Sequence, residues 1–281
     1  MRFTAGCAQF APMKGAVSIN LDRIADALLT GCQDGVDVLV FPETSVTGYF
    51  LEGGVLECSL TIEELTRELH TRLADIRRPI DGVVGFYERH NEMLYNSAAY
   101  IEFSPGQVNV LATYRKTFLP SYGVFDESRF LSEGTGPHVF ETRFGTATML
   151  ICEDVWHSIM PTIAAVKGAE TFYVLSASPS RNFGSDVPGN LERYQRMLRT
   201  VSEEHGVYCV HAMLVGFEGG KGFVGGSSIL GPDGNTVIRA EMFEEALIVD
   251  ELDSDQLALA RANSPLLSDL QSRWSALIES L

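Results

Sequence analysis

This chain has no excess of positive charge. Of its 281 residues, 21 are Lys or Arg against 37 Asp or Glu, for a formal net charge of −16. No Lys/Arg cluster interrupts that balance. Nucleic acid and anionic membranes both call for a basic face, so neither is expected as a partner. No apolar run reaches the ~18 residues needed to span a bilayer. The N-terminus, M-R-F-T-A-G-C-A-Q-F, lacks the long apolar core of a secretory signal. Cysteine is sparse and unpatterned: Cys7, Cys32, Cys58, Cys152 and Cys209 are odd in number, scattered and free of C-x-x-C. A reduced, cytoplasmic protein accounts for this most simply. His70, His90, His138, His157, His205 and His211 show no metal-ligand spacing. Gly219-Gly220 and Gly225-Gly226 are not followed by the G-K-[ST] of a phosphate loop. No metal or cofactor is expected. Linker-like segments are missing as well, so the chain reads as one domain. At 45% hydrophobic residues it is long enough to bury a large core.

What is present alternates between strand-like and helix-like stretches. Residues 2–10 read as a strand, broken by Pro12 and Gly15. Asn20 is placed as a helix N-cap, with Leu21, Ile24, Ala25, Leu28, Leu29 and Cys32 following on one apolar face. The run V-D-V-L-V-F (36–41) is a buried strand stopped by Pro42. Thr61 and Glu64 form a capping-box pattern at the head of a helix reaching about Arg77. Strands are expected at 81–88, 94–103 and 107–114, then a long loop over 117–138. Further strands follow at 145–151, 171–178 and 207–215, a hairpin at 225–230 and 235–240 around G-P-D-G, and a last strand at 246–250. Helices are expected at 158–168, 190–205 and 264–280. Helices and hairpins mixed in this way predict α/β layering with a mixed sheet rather than an all-parallel barrel.

Three chemically distinct residues sit where apolar runs end: Glu43 in F-P-E-T-S-V-T-G-Y, Lys116 in Y-R-K-T-F-L-P and Cys152 in L-I-C-E-D-V-W. A lone Glu or Lys is usually a solvated surface charge, and a free Cys is usually structural. Cys7, Cys32 and Cys209 fit that description, lying inside strands or on an apolar helix face. Cys152 instead ends a strand just before a helix. A sharp turn there exposes a nucleophile and frees the next N–H groups to hold an oxyanion. A thiolate, a proton-moving carboxylate and an oxyanion-holding ammonium can together break a carbon–nitrogen bond. His157 lies close enough in sequence to suggest a Cys–His dyad, but Glu43 and Lys116 already fill the base and oxyanion roles.

Taken together, these segments resemble the nitrilase superfamily of carbon–nitrogen hydrolases. Gln9, Pro12, Gly15 and Asn20 match its opening pattern. F-P-E-T-S-V-T-G-Y resembles its glutamate box, R-K-T-F-L-P its lysine box, C-E-D its nucleophile box, and F-V-G-G-S-S-I-L-G-P-D-G-N its late hairpin. L-P-S-Y-G-V-F-D-E-S-R-F (119–130), C-E-D-V-W and S-A-S-P (176–179) are similar, more narrowly, to the glutaminase domain of glutamine-dependent NAD synthetase. The resemblance implies a four-layer α-β-β-α sandwich. It implies a hydrolase domain over 1–255 and a C-terminal helical extension over 256–281. It also implies a homodimer or higher oligomer, with that extension at the interface and the apolar stripe Leu266, Leu267, Leu270, Trp274, Leu277, Ile278 and Leu281 in need of cover.

The resemblance further implies roles. Glu43 would be the general base, Lys116 with the Glu153 N–H the oxyanion holder, and Cys152 the nucleophile. Glu127, eleven residues after Lys116, would support the lysine. Tyr49, Tyr122, Phe125, Glu153, Trp156, Ser178 and Arg181 would surround the substrate, Glu153 meeting an ammonium and Arg181 a carboxylate. Two departures touch that pocket. Trp156 stands where phenylalanine is expected, and Ser180-Arg181-Asn182-Phe183 replaces an F-H-x-G-K type of loop. C-E-D rather than C-W-E favours an amide over a nitrile. The expectation is therefore an amidase acting on a small amino-acid-like or aliphatic amide. The alternatives are an N-carbamoyl hydrolase or nitrilase, or a glutaminase-like subunit feeding ammonia to a separate synthetase.

Overall fold

A computed structural model describes residues 1–281 apart from Phe183, Ser185 and Leu281, so the expectations placed on Phe183 and Leu281 lie outside the described residues. The chain runs β1 (Arg2–Gln9), α1 (Val17–Gln33), β2 (Val38–Val40), α2 (Val55–Cys58), α3 (Ile62–Arg72), β3 (Ile80–His90), β4 (Met93–Ser104), β5 (Gln107–Arg115), β6 (Val139–Thr142), β7 (Gly145–Ile151), α4 (Ile159–Val166), β8 (Thr171–Ser176), α5 (Gly189–His205), β9 (Tyr208–Met213), β10 (Val215–Glu218), β11 (Lys221–Val224), β12 (Ser228–Leu230), β13 (Thr236–Arg239), β14 (Ala246–Asp253), α6 (Ser254–Asn263) and α7 (Leu266–Glu279).

Two six-stranded mixed sheets result, in the orders β14-β1-β2-β3-β4-β5 and β13-β12-β9-β8-β7-β6, beside a separate β10-β11 hairpin. Each sheet has a parallel centre, β1-β2-β3 in one and β7-β8-β9 in the other, and antiparallel flanks. The parallel strands are joined through helices, as parallel neighbours require.

The V-D-V-L-V-F run shows how the layers form. Val38 and Val40 face the second sheet in one core cluster with Ala5, Cys7, Met149, Ile151 and Tyr173. Leu39 and Phe41 face the other way, onto Leu21, Ile24 and Leu28 of α1 and Leu65 and Leu69 of α3. Both faces are covered, so the strand is apolar throughout rather than alternating. On the far side, Met160 and Ala164 of α4 and Leu191 and Leu198 of α5 close over the second sheet. The order is helix, sheet, sheet, helix, as the resemblance implied.

Several local expectations need correction. Asn20 does not cap α1, which starts at Val17 after Ala16. It is buried one turn inside, where its amide accepts from Met13 N (2.8 Å) and donates to the carbonyls of Met13 (2.8 Å) and Val46 (3.0 Å). The Thr61–Glu64 capping box forms, but its helix stops at Arg72. Leu73 and Ile76 stay buried in an irregular turn ahead of Pro79, which disfavours helix at the residue before it. The strand expected over 207–215 ends at Met213, and β10 begins a separate hairpin. The C-terminal segment is two helices, broken at Ser264-Pro265. Among the described residues, no helix is long and apolar enough to cross a membrane.

Candidate active site

Glu43, Lys116 and Cys152 emerge from the ends of β2, β5 and β7, and the topology brings them together. Glu43 and Lys116 are fully buried and Cys152 is 6% exposed. Lys116 Nζ donates to Glu43 Oε1 and to Glu127 Oε1, each at 2.7 Å. Asn96 Nδ2 also donates to Glu43 Oε1 (2.7 Å), and the Ala177 N–H, just past β8, donates to Oε2 (2.6 Å). One carboxylate is thus held by groups from both sheets. Gly85 on β3 lets the chain pass behind it. A Cβ there would lie 2.5 Å from Pro42 O and 2.9 Å from Glu43 Cα.

Two carboxylates share one ammonium, and the energetics follow from that. Burial opposes the Lys116 charge, but Glu127 and Glu43 outweigh it and hold its pKa well above that of free lysine. Burial pushes Glu127 up to about 7, against the pull of Lys116. Burial, then the Glu43 charge, raises the Cys152 thiol well above its ordinary value, while Lys116 and Tyr194 act the other way. Cys152 is therefore a neutral thiol at rest.

Cys152 has a φ of +48°, the left-handed region that non-glycine residues seldom occupy. The short helical turn Cys152–Trp156 follows directly. Asp154 locks that turn to the strand carrying the lysine. Its Oδ1 accepts from Thr117 N (3.1 Å) and Phe118 N (2.9 Å), and its Oδ2 accepts from the Tyr114 hydroxyl (2.7 Å) and Ile151 N (3.1 Å). Its burial raises its pKa to about 6. His157 stacks on Phe118 (3.8 Å between ring centres), and among the described residues no hydrogen bond joins it to Cys152, whose thiol meets Tyr194 instead.

The expected pocket residues divide into two groups. Tyr49 is buried; its hydroxyl donates to Glu127 Oε1, and its N–H and that of Phe50 donate to Glu218 Oε2 at the end of β10 (2.7 and 3.1 Å). Ser178 is buried and accepts from Asn190 Nδ2 (3.0 Å). Phe125 stacks edge-on against Tyr49 (6.2 Å). Nearer solvent, the Tyr122 hydroxyl donates to Glu153 (3.0 Å). The Arg181 guanidinium lies over Phe125 (5.1 Å) and Trp156 (5.7 Å). A cavity of about 140 Å³ runs past Tyr49, Phe125 and Glu127. A second, of about 440 Å³, is lined by Arg181, Phe223 and Lys221. Among the described residues, no three His, Cys, Asp or Glu side chains gather as a metal site.

Asn96, Asp154 and Tyr194 took no part in the sequence reading of the site. Asn96 had a signal, as a lone amide in L-Y-N-S just ahead of the apolar run A-A-Y. Tyr194 had none, because its ring counts as one more apolar position on α5.

The carbon-nitrogen hydrolase family pattern matches residues 4–262, and the chain belongs to that family, within the nitrilase superfamily. The chain is 30% identical over 278 residues to the glutamine-dependent NAD(+) synthetase of Acinetobacter baylyi, covering 98% of itself but 49% of that protein. It spans about half the length of the curated relatives it matches. A carbon-nitrogen hydrolase from Helicobacter pylori G27 shares the fold, with a TM-score of 0.84 at 22% identity, covering 96% of this chain and 95% of that one. An amidase from Nesterenkonia sp. AN1 is similar at a TM-score of 0.74 and 25% identity, covering 93% and 94%. That structure carries the acetamide moiety of fluoroacetamide on its active-site cysteine.

Proposed function

We propose that this hydrolase is an amidase converting a small amino-acid-like or aliphatic amide to carboxylate and ammonia through a Cys152 thioester. The observation that carries the reading is the Lys116 ammonium held at 2.7 Å from both Glu43 and Glu127 beside a buried thiol. Glu43 takes the Cys152 proton as sulfur attacks the amide carbon. Lys116 and the Glu153 N–H hold the oxyanion. As the C–N bond breaks, Glu43 returns the proton to the leaving ammonia. Water, deprotonated by Glu43, then attacks the thioester, and the carboxylate leaves as the thiol re-forms. Glu127 keeps Lys116 charged and aimed. Glu153 and Arg181 at the mouth suit the ammonium and carboxylate of an amino-acid-like substrate.

A second reading, a glutaminase-like unit handing ammonia to a synthetase, is favoured by the likeness to half of the NAD(+) synthetases. A homodimer is favoured by Leu266, Leu277 and Ile278, about half exposed on α7, and light scattering at micromolar concentration tests it. The test of function is ammonia release from a panel holding aliphatic amides, glutamine, N-carbamoyl compounds and nitriles, for wild type and Cys152→Ala. Release from one amide, lost in the variant, supports the amidase. Release only with an added synthetase partner supports the second reading. Undiminished turnover by Cys152→Ala overturns both.

A further inference from the structure

A buried hydroxyl touches the nucleophile without belonging to its acid–base set. Tyr194 on α5 is fully buried, with its oxygen 3.0 Å from Cys152 Sγ. Two neighbours fix the ring: Trp156 edge-on at 5.2 Å and His211 tilted at 5.1 Å. Behind it, Ser176 Oγ is 2.9 Å from His211 Nε2. That imidazole is neutral, since burial pushes His211 down to about 3.

The other groups acting on the sulfur come from the strand ends and loops of the opposite sheet. Glu43, Glu127 and Tyr49 disfavour a thiolate or add nothing to hold it, and the Lys116 charge is shared by two carboxylates. A thiolate formed here needs a donor that no carboxylate competes for, and a neutral hydroxyl provides one.

We propose that Tyr194 is a catalytic residue of this site, its hydroxyl accepting the thiol hydrogen at rest and turning to donate to the sulfur once Glu43 has removed the proton. The phenolic proton is not transferred. The hydroxyl stabilises the thiolate as it attacks the amide carbon, and again as it leaves the thioester during hydrolysis. This deepens the proposed mechanism and rests on Cys152 being the nucleophile.

The test is alkylation of Cys152 by iodoacetamide, followed by mass spectrometry from about pH 6 to 10. It compares wild type with Tyr194→Phe, which keeps the ring between Trp156 and His211. Thermal melts run alongside, and a Cys58→Ser background removes the partly exposed thiol. Tyr194→Phe is expected to react about tenfold more slowly at neutral pH, with the acidic limb moved up by about one pH unit. With an amide substrate, kcat should fall and KM should hold. An unchanged rate and limb in a folded Tyr194→Phe overturns the proposal while leaving the nucleophile assignment intact. If Tyr194→Phe does not fold, 3-fluorotyrosine at position 194, which keeps the ring and makes the hydroxyl a stronger donor, decides. A faster reaction with the limb moved down supports the proposal, and an unchanged one overturns it. Wild-type Cys152 that resists alkylation at every pH overturns both this proposal and the thioester mechanism.

Discussion

The floor of the site and its mouth are built on different principles. On the floor, Glu43, Lys116, Glu127 and Asp154 are buried, and each is held by side chains or N–H groups from separate strand ends. At the mouth, Arg181 rests on aromatic faces, and Tyr122 meets Glu153 where solvent can replace either partner. Buried charges that lose a partner are costly, whereas exposed contacts exchange for water almost freely. On the proposed mechanism the floor fixes the type of bond cut, and the mouth can change substrate with little effect on the fold.

Lys116→Ala should break this comparison most severely. It strands two buried carboxylates around one missing ammonium, with an expected loss of about 3–5 kcal/mol in stability. Turnover should fall by at least ~10²–10³, because the oxyanion donor goes too. Urea unfolding and steady-state kinetics check both, and a stable, active variant would show that the floor tolerates what the mouth does. Next is Gly85→Ala, whose methyl collides with the backbone around Glu43. A destabilisation of about 1–3 kcal/mol is expected, with kcat falling more than KM rises.

Titration gives a third test. The ordinary glutamate value is 4.5 and Glu127 stands at about 7 in the fold. The folded state therefore holds this proton more tightly than the unfolded chain. Glu127's contribution to stability is complete below about 4.5 and is lost as pH rises through about 7. Activity should move oppositely, kcat/KM rising through about 7 as Glu127 ionises against Lys116. The pH profile of Glu127→Gln should lack that limb; an identical limb in the variant would assign it to another group.

The mouth should respond less. Arg181→Ala is expected to raise KM for an amino-acid amide about tenfold while leaving kcat for a simple aliphatic amide within about twofold. Tyr122→Phe, removing one exposed hydrogen bond, should change kcat/KM by less than about threefold. A larger effect of Tyr122→Phe than of Arg181→Ala would place the specificity contact on Glu153 instead.

Legibility in the sequence followed the same division. The central strands were readable because both faces are buried, which makes V-L-V-F (38–41) and F-Y-V-L (172–175) continuous apolar runs. The ends of two such strands located Glu43 and Cys152, whereas Lys116 ends β5, an edge strand that is buried only toward its C-terminal end. Short or weakly patterned elements were not readable. β6 has four residues after a Gly-Pro loop, and α6 buries only Leu257 among polar and alanine positions. The Asn20 signal was real but belonged to a loop brace, since the same amide can satisfy either geometry. Tyr194 was placed correctly on the buried face of α5, but a helical period shows only that the ring turns inward. It does not show what the hydroxyl at the ring's far end will meet, which depends on a strand end forty-two residues earlier.

The pairing of β1 with β14 has a consequence for biosynthesis. Arg2–Gln9, the earliest of its sheet's strands to be made, takes its second neighbour from Ala246–Asp253. Every residue assigned to the chemistry has by then been made, yet the sheet that carries Glu43 and Lys116 still has an open margin. Such an open margin is a template for wrong partners, and closing it across most of the chain's length is slow. The nascent protein thus passes through a long interval in which its catalytic parts exist but its first sheet is unfinished. Chains cut short of Ala246 should accumulate as aggregates or as chaperone clients rather than as partial enzymes.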